Sequence, residues 1–117
     1  MKVEIYHNSR CSKSRATLAL LEEQGVNVEI IEYLKTPPTK SKIKAILKSL
    51  DCHPRDIMRH KQAQYSELEL DNCSLSEEQL ITAIIEHPIL LERPIVCHGE
   101  HAAIGRPPEN ALKLFNT

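Results

Sequence analysis

The sequence has no CxxC pair. Its four cysteines, Cys11, Cys52, Cys73 and Cys97, are scattered through 117 residues. Neither a paired-cysteine redox motif nor a closed zinc site built on paired thiolates is therefore written into the chain. It also lacks an excess of positive charge. Fifteen Lys and Arg against 16 Asp and Glu leave a net charge of −1 with histidine neutral. That excludes the global basic field with which a protein holds nucleic acid irrespective of its sequence. No apolar run approaches the about 20 residues of a membrane-spanning helix. Met1-Lys2 leads into a strand pattern rather than a secretory leader. Internal repeats and low-complexity stretches are absent too. The expectation is a cytoplasmic protein with no membrane or nucleic-acid partner, whose cysteines stay free thiols in a reducing compartment.

What remains is an ordinary globular composition, 41% apolar and 26% charged. It suits one compact domain that buries about two-thirds of its unfolded surface. Lys2 to Tyr6 alternates as a half-buried strand does, and the pattern from 12 to 24 is helical, ending at Gly25. Val26 to Tyr33 alternates again, with Val26, Val28 and Ile30 on one face. Strand, helix and strand with short connections predict a βαβ unit with a parallel pair. Thr36-Pro37-Pro38 interrupts the chain, and Thr39 can cap a helix to Leu50 with Ile43, Ile46, Leu47 and Leu50 along one side. A short helical segment follows from His53-Pro54 to about Arg59, then a weaker turn over 65–70. Ser76 and Gln79 form a capping box for a helix to Glu86, with Leu80, Ile81, Ile84 and Ile85 inward, stopped by His87-Pro88. Ile95–His98 and His101–Ile104 read as a hairpin around Gly99-Glu100. Proline at 107 and 108 then opens a final helix to about Phe115. The order is β-α-β, a helical insert over about 37–87, then β-β-α, within a single domain spanning 1–117.

One cysteine stands where a strand hands over to a helix. At Cys11 a thiol would face unpaired backbone N–H groups and the positive end of the helix dipole, and both favour thiolate. Such surroundings lower a cysteine pKa from about 8.5 into a range of about 3.5–7.5. His7, Arg10, Lys13 and Arg15 add positive or potentially positive groups nearby. Cys11 is therefore the candidate nucleophile, and His7, four residues before it, the candidate partner of its thiolate. Arg59, Arg93 and Arg106 each lie at an element boundary, and an arginine fork suits a tetrahedral oxyanion. Cys52-His53, and Cys97-His98 with His101, offer soft ligands but no metal-binding spacing, so no metal is expected.

Five segments together resemble the glutaredoxin-dependent arsenate reductase family. They are Tyr6-His7-Asn8-Ser9-Arg10-Cys11, Glu32 to Pro38, His87-Pro88-Ile89-Leu90, Arg93-Pro94-Ile95-Val96 and Gly105-Arg106-Pro107-Pro108-Glu109. The match runs in order from residue 3 to about 115. The resemblance implies a thioredoxin-like α/β fold with a helical insert, in agreement with the element order above. It also implies a mechanism: Cys11 attacks arsenate, glutathione enters as co-substrate, and glutaredoxin completes reduction to arsenite with no bound cofactor. By the same resemblance His7 supports the thiolate, Arg59, Arg93 and Arg106 bind the oxyanion, and Pro94 follows a cis peptide bond.

Ser14 stands where a dithiol enzyme would carry its resolving cysteine, so an outside thiol must finish the cycle. The chain departs from better-known members in having Ser9-Arg10 where those often have proline and alanine. Two other readings compete. A redox-responsive transcription regulator of the Spx type, binding RNA polymerase, would carry CxxC here and lack Arg106-Pro107-Pro108-Glu109. A general glutathione-linked thiol oxidoreductase acting on protein disulfides would need none of the three arginines.

Overall fold

The computed structural model describes residues 2–115 and divides them into two compact units. One runs to Thr36 and resumes at Arg93; the other is Pro37–Glu92. The first unit holds β1 (Lys2–His7), α1 (Ser12–Glu23) and β2 (Asn27–Glu32), then β3 (Ile95–His98), β4 (His101–Ile104) and a 3-10 helix, Pro108–Phe115.

Its four strands form one sheet in the order β2-β1-β3-β4. The central strand β1 pairs parallel with β2, Ile5 opposite Ile30, and antiparallel with β3, Ile5 opposite Val96. The hairpin β3–β4 turns at Gly99, whose φ of +62° is the left-handed conformation that glycine adopts without strain. Gly25, at φ +72°, ends α1 in the same way. Val3, Ile5, Leu21, Val96 and Ala111 are the buried core, bordered by Leu18, Val26, Val28, Leu114 and Phe115. This is the thioredoxin-like α/β arrangement, β-α-β followed by β-β and a terminal helix.

Two details of this unit differ from the sequence reading. Ile30 belongs to the apolar face of its strand, yet it is 49% exposed, because β2 lies at the sheet edge. The last element is a 3-10 rather than an α-helix. The two prolines at its start donate no N–H, and its first backbone bond, Asn110 N–H to Pro107 O, spans three residues.

In the Pro37–Glu92 unit, α2 (Lys40–Leu50) starts where Thr39 Oγ1 accepts from Lys42 N–H at 3.1 Å. It ends at Asp51, which is left-handed with φ 51°. A 3-10 turn, Pro54–Ile57, is closed by a capping box between His53 and Asp56. The weaker turn expected over 65–70 is a short helix, α3 (Ala63–Glu67), followed by a turn over 68–71. Next comes α4 (Glu77–Glu86), with both bonds of the Ser76–Gln79 capping box formed. His87-Pro88 stops α4 and opens a 3-10 turn, Pro88–Leu90, that the periodicity does not show. Along α4 the buried face is Leu80, Ile81, Ala83 and Ile84; Ile85 is half-buried, as is Leu50 in α2. Met58 bridges to Leu91 in antiparallel fashion, and Glu92 N–H reaches Ile57 O at 2.7 Å. Among the described residues no helix is long and apolar enough to cross a membrane.

Candidate active site

The loop between β1 and α1 is fixed by its own polar groups. Cys11 N–H donates to Asn8 O at 3.0 Å, and Arg10 N–H to Asn8 Oδ1 at 3.0 Å. From the second turn of α1, Arg15 Nη1 reaches back to Ser9 O at 2.9 Å. Cys11 therefore occupies the N-cap position of α1 in extended geometry, φ −95° and ψ 123°. The backbone N–H groups of Ser14 and Lys13 are near enough to its sulfur to favour the thiolate, without a formed side-chain cap bond. A thiol held there replaces the oxygen of an ordinary cap, and it gains most from those donors as thiolate.

Burial pushes the Cys11 thiol up, since only 8% of the residue is exposed. The two backbone donors and the charges of Arg93 and Arg106 outweigh that penalty, so the thiol lies below its ordinary pKa. Arg106 makes a direct contact with the sulfur. Its Nη2 donates to Cys11 Sγ at 3.7 Å while its Nε donates to Arg93 O at 2.7 Å. One guanidinium thus links the cysteine to the backbone that precedes Pro94. The Arg93–Pro94 bond is cis, and so is Arg106–Pro107. Two nitrogens of the Arg93 guanidinium, Nε and Nη1, are buried. The positive groups beside the cysteine in sequence do not set its charge state; those that do come from residues 93 and 106.

His7 is buried at the end of β1, and its Nδ1 lies 2.7 Å from Ser14 Oγ. That hydroxyl also accepts from Asn8 N–H at 3.1 Å. Burial lowers the His7 pKa, Glu32 opposes the shift, and Arg15 adds to it, leaving the ring neutral at pH 7. A neutral ring whose Nδ1 accepts the Ser14 proton fits this pattern. His7 thus bonds to Ser14, a residue whose main-chain N–H lies near the sulfur. Ser14 was read only as the missing second cysteine; its place one turn into the helix was the signal for a structural role.

Arg59 belongs to the Pro37–Glu92 unit. There its N–H donates to Leu90 O at 2.7 Å, and its guanidinium lies against the Gln62 side-chain amide, whose oxygen accepts from it when that amide is turned over. The remaining thiols differ in setting: Cys97 is buried on β3, Cys52 half-buried and Cys73 exposed. Among the described residues no three His, Cys, Asp or Glu side chains are grouped to hold a metal ion.

A model of the ArsC family matches residues 6–114, which includes every element of this site. The chain belongs to the ArsC family. It is 51% identical over 110 residues to the arsenate reductase of Neisseria meningitidis serogroup A, covering 93% of this chain and 94% of that one. To the arsenate reductase of Haemophilus influenzae it is 48% identical, over 98% and 100% of the two chains. Among solved structures it is similar to the arsenate reductase from Vibrio cholerae, with a TM-score of 0.93, 47% identity and 97% of each chain covered.

In this ArsC-family chain the site depends on one close approach at Gly105, the first residue of the Gly105–Glu109 segment. Gly105 N–H donates to Pro94 O at 2.9 Å, and Thr17 Oγ1 donates to Lys13 O at 2.8 Å beside the Gly105 carbonyl. A Cβ at Gly105 would lie 2.6 Å from Thr17 Oγ1 and 2.8 Å from Pro94 Cγ, inside any real contact. Thr17 is fully buried and Pro94 is a ring, so neither can swing away. Gly105→Ala is therefore expected to cost about 1–3 kcal/mol by overpacking. It should also shift Arg106, the next residue, away from Sγ. Urea unfolding and kcat/KM measured on the same preparation check both effects. A variant of unchanged midpoint and activity would show that the approach is looser than these distances.

Proposed function

We propose that the chain is an arsenate reductase in which the Cys11 thiolate is the nucleophile. The sulfur attacks arsenic and an oxygen leaves as hydroxide or water, giving a thiol–arsenate adduct. A glutathione thiol displaces a second oxygen. Glutaredoxin then reduces the mixed species, so that arsenic takes up two electrons and departs as arsenite while sulfur is oxidised to the disulfide level.

One observation carries this reading: the Arg106 guanidinium lies against Cys11 Sγ at 3.7 Å while anchored on the Arg93 carbonyl at 2.7 Å. A thiolate alone would serve many thiol reactions. A thiolate beneath an anchored guanidinium suits an electrophile that carries negative oxygens, because the same group stabilises the sulfur before attack and the oxyanion during it. Arg93 contributes a second positive charge at the same sulfur. For Arg59 the support is the resemblance alone. His7 would act through Ser14 to hold the helix start in register. Dependence on glutathione and glutaredoxin is supported by the lack of a CxxC pair, since Ser14 cannot resolve an adduct on Cys11.

The test is arsenate-dependent NADPH oxidation by the purified protein with glutathione, glutaredoxin and glutathione reductase, each component omitted in turn. Turnover that needs all of them is expected. Folded protein with a reactive Cys11 and no arsenate-dependent oxidation would exclude arsenate as substrate. Turnover undiminished without glutaredoxin would overturn only that partner.

A further inference from the structure

We propose that Arg10 and Lys13 form an exposed landing patch for a small carboxylate-bearing thiol or its disulfide, the reactant that meets Cys11 after the oxyanion. This rests on the reading that an outside thiol resolves Cys11, and it names what recognises that thiol.

The chain as a whole has a net charge of −1, yet residues 5–21 contain no Asp or Glu. Within that stretch Arg10, Lys13 and Arg15 are all exposed around a cysteine that is itself buried. Arg15 is committed to the loop through Ser9 O at 2.9 Å. Arg10 is held by its backbone N–H, through Asn8 Oδ1, and Lys13 bonds through its main chain, its carbonyl accepting from Thr17 Oγ1. Neither side chain has a hydrogen bond or ion pair among the described residues.

These two cations have a different job from the arginines at the sulfur. The charges that act on Cys11 are those of Arg93 and Arg106; Arg10 and Lys13 are not among them. Both side chains are exposed and flank Cys11 in sequence, where a reactant coming from solvent can meet them. Exposed charges of one sign act on approach more than on bound affinity, and they raise the encounter rate with an oppositely charged partner. Glutathione carries two carboxylates and one ammonium group, so both it and its disulfide are net anions.

The patch can be tested without arsenate. The Cys11 thiolate attacks one sulfur of glutathione disulfide, a new Cys11–glutathione S–S bond forms, the old S–S bond breaks, and one glutathione leaves as thiolate. Neutral hydroxyethyl disulfide undergoes the same exchange. The measurement is the ratio of the two rates, followed at Cys11 by peptide mass mapping because Cys73 is also exposed. It is made on the full chain at low ionic strength. In the Arg10→Ala/Lys13→Ala variant the anionic-to-neutral ratio is expected to fall on the order of tenfold. It should fall further in Arg10→Glu/Lys13→Glu and stay near the unsubstituted value in Arg10→Lys. The Lys13 substitution keeps the main-chain N–H near the sulfur, and a ratio cancels any change in intrinsic thiol reactivity.

A ratio that stays within twofold of the unsubstituted protein overturns the patch. So does an unchanged ratio accompanied by a raised KM for glutaredoxin, which would assign these cations to a protein partner instead. Wild-type protein that fails to reduce arsenate while the ratio falls in the variants would sink the arsenate reading and leave the patch standing.

Discussion

Cys11→Ser is expected to abolish arsenate reduction, with kcat/KM falling by about 10³ or more, since loss of a nucleophile is among the largest single-residue effects in catalysis. Serine keeps the shape and the N-cap position but not the chemistry. Its hydroxyl stays protonated under the donors that make Cys11 a thiolate, and it cannot pass electrons through a sulfur–sulfur bond. Because serine is a better helix cap than cysteine, the variant should unfold at an unchanged or higher urea concentration. Loss of activity with intact stability separates chemistry from folding. Substantial residual turnover in Cys11→Ser would mean that another thiol does the work, and exposed Cys73 would be examined next.

Arg106→Ala should cost about 10²-fold in kcat/KM, the size associated with removing one preorganised donor from a developing charge. Two losses combine. The oxyanion loses a fork, and the thiol loses the guanidinium 3.7 Å from its sulfur. The second loss can be read directly. Alkylation by iodoacetamide follows the thiolate fraction, which rises as pH passes upward through the thiol pKa. In the wild-type protein the midpoint therefore lies below the ordinary cysteine value. In Arg106→Ala it moves back up. Arg106→Lys keeps a charge but cannot bond both Arg93 O and the thiol as a planar fork does. Its alkylation midpoint should stay near wild type while KM for arsenate rises. An Arg106→Ala midpoint equal to wild type would assign the lowered pKa to the helix N-terminus and Arg93.

How far the sequence led can be judged residue by residue. The alternation of β1, the Thr39 cap, the Ser76–Gln79 box and Gly25 are local devices whose cause lies within a few residues, and each was legible. The Cys11 handover was legible for the same reason. The final element reads as an α-helix in sequence because the prolines at 107 and 108 permit either form, whereas its backbone is 3-10 over Pro108–Phe115. The charges around the thiol were read from neighbours in sequence, Arg10, Lys13 and Arg15. Those that act on it are brought there by the pairing of β3 with β1. Arg93 and Arg106 were picked out as boundary residues, but their meeting at Cys11 is tertiary information. Ser14, Thr17 and Gly105 left no trace in periodicity. Their importance lies in one hydroxyl bond and one missing Cβ.

The unit that carries the thiol is interrupted in sequence, and this bears on how the protein comes into being. Cys11 and Arg106 are 95 residues apart along the chain. At a synthesis rate of about 5–20 residues per second, the cysteine emerges roughly 5–20 s before the arginine that helps ionise it. Until then the sulfur lacks that guanidinium, and for most of the interval β1 has no antiparallel partner, because β3 begins only at Ile95. Folding of this unit must also close a loop through all of Pro37–Glu92, a high contact order for so small a chain. Full reactivity thus appears only when the sheet is complete, so a nascent or truncated chain does not expose a fully activated thiol to the cell's oxidants.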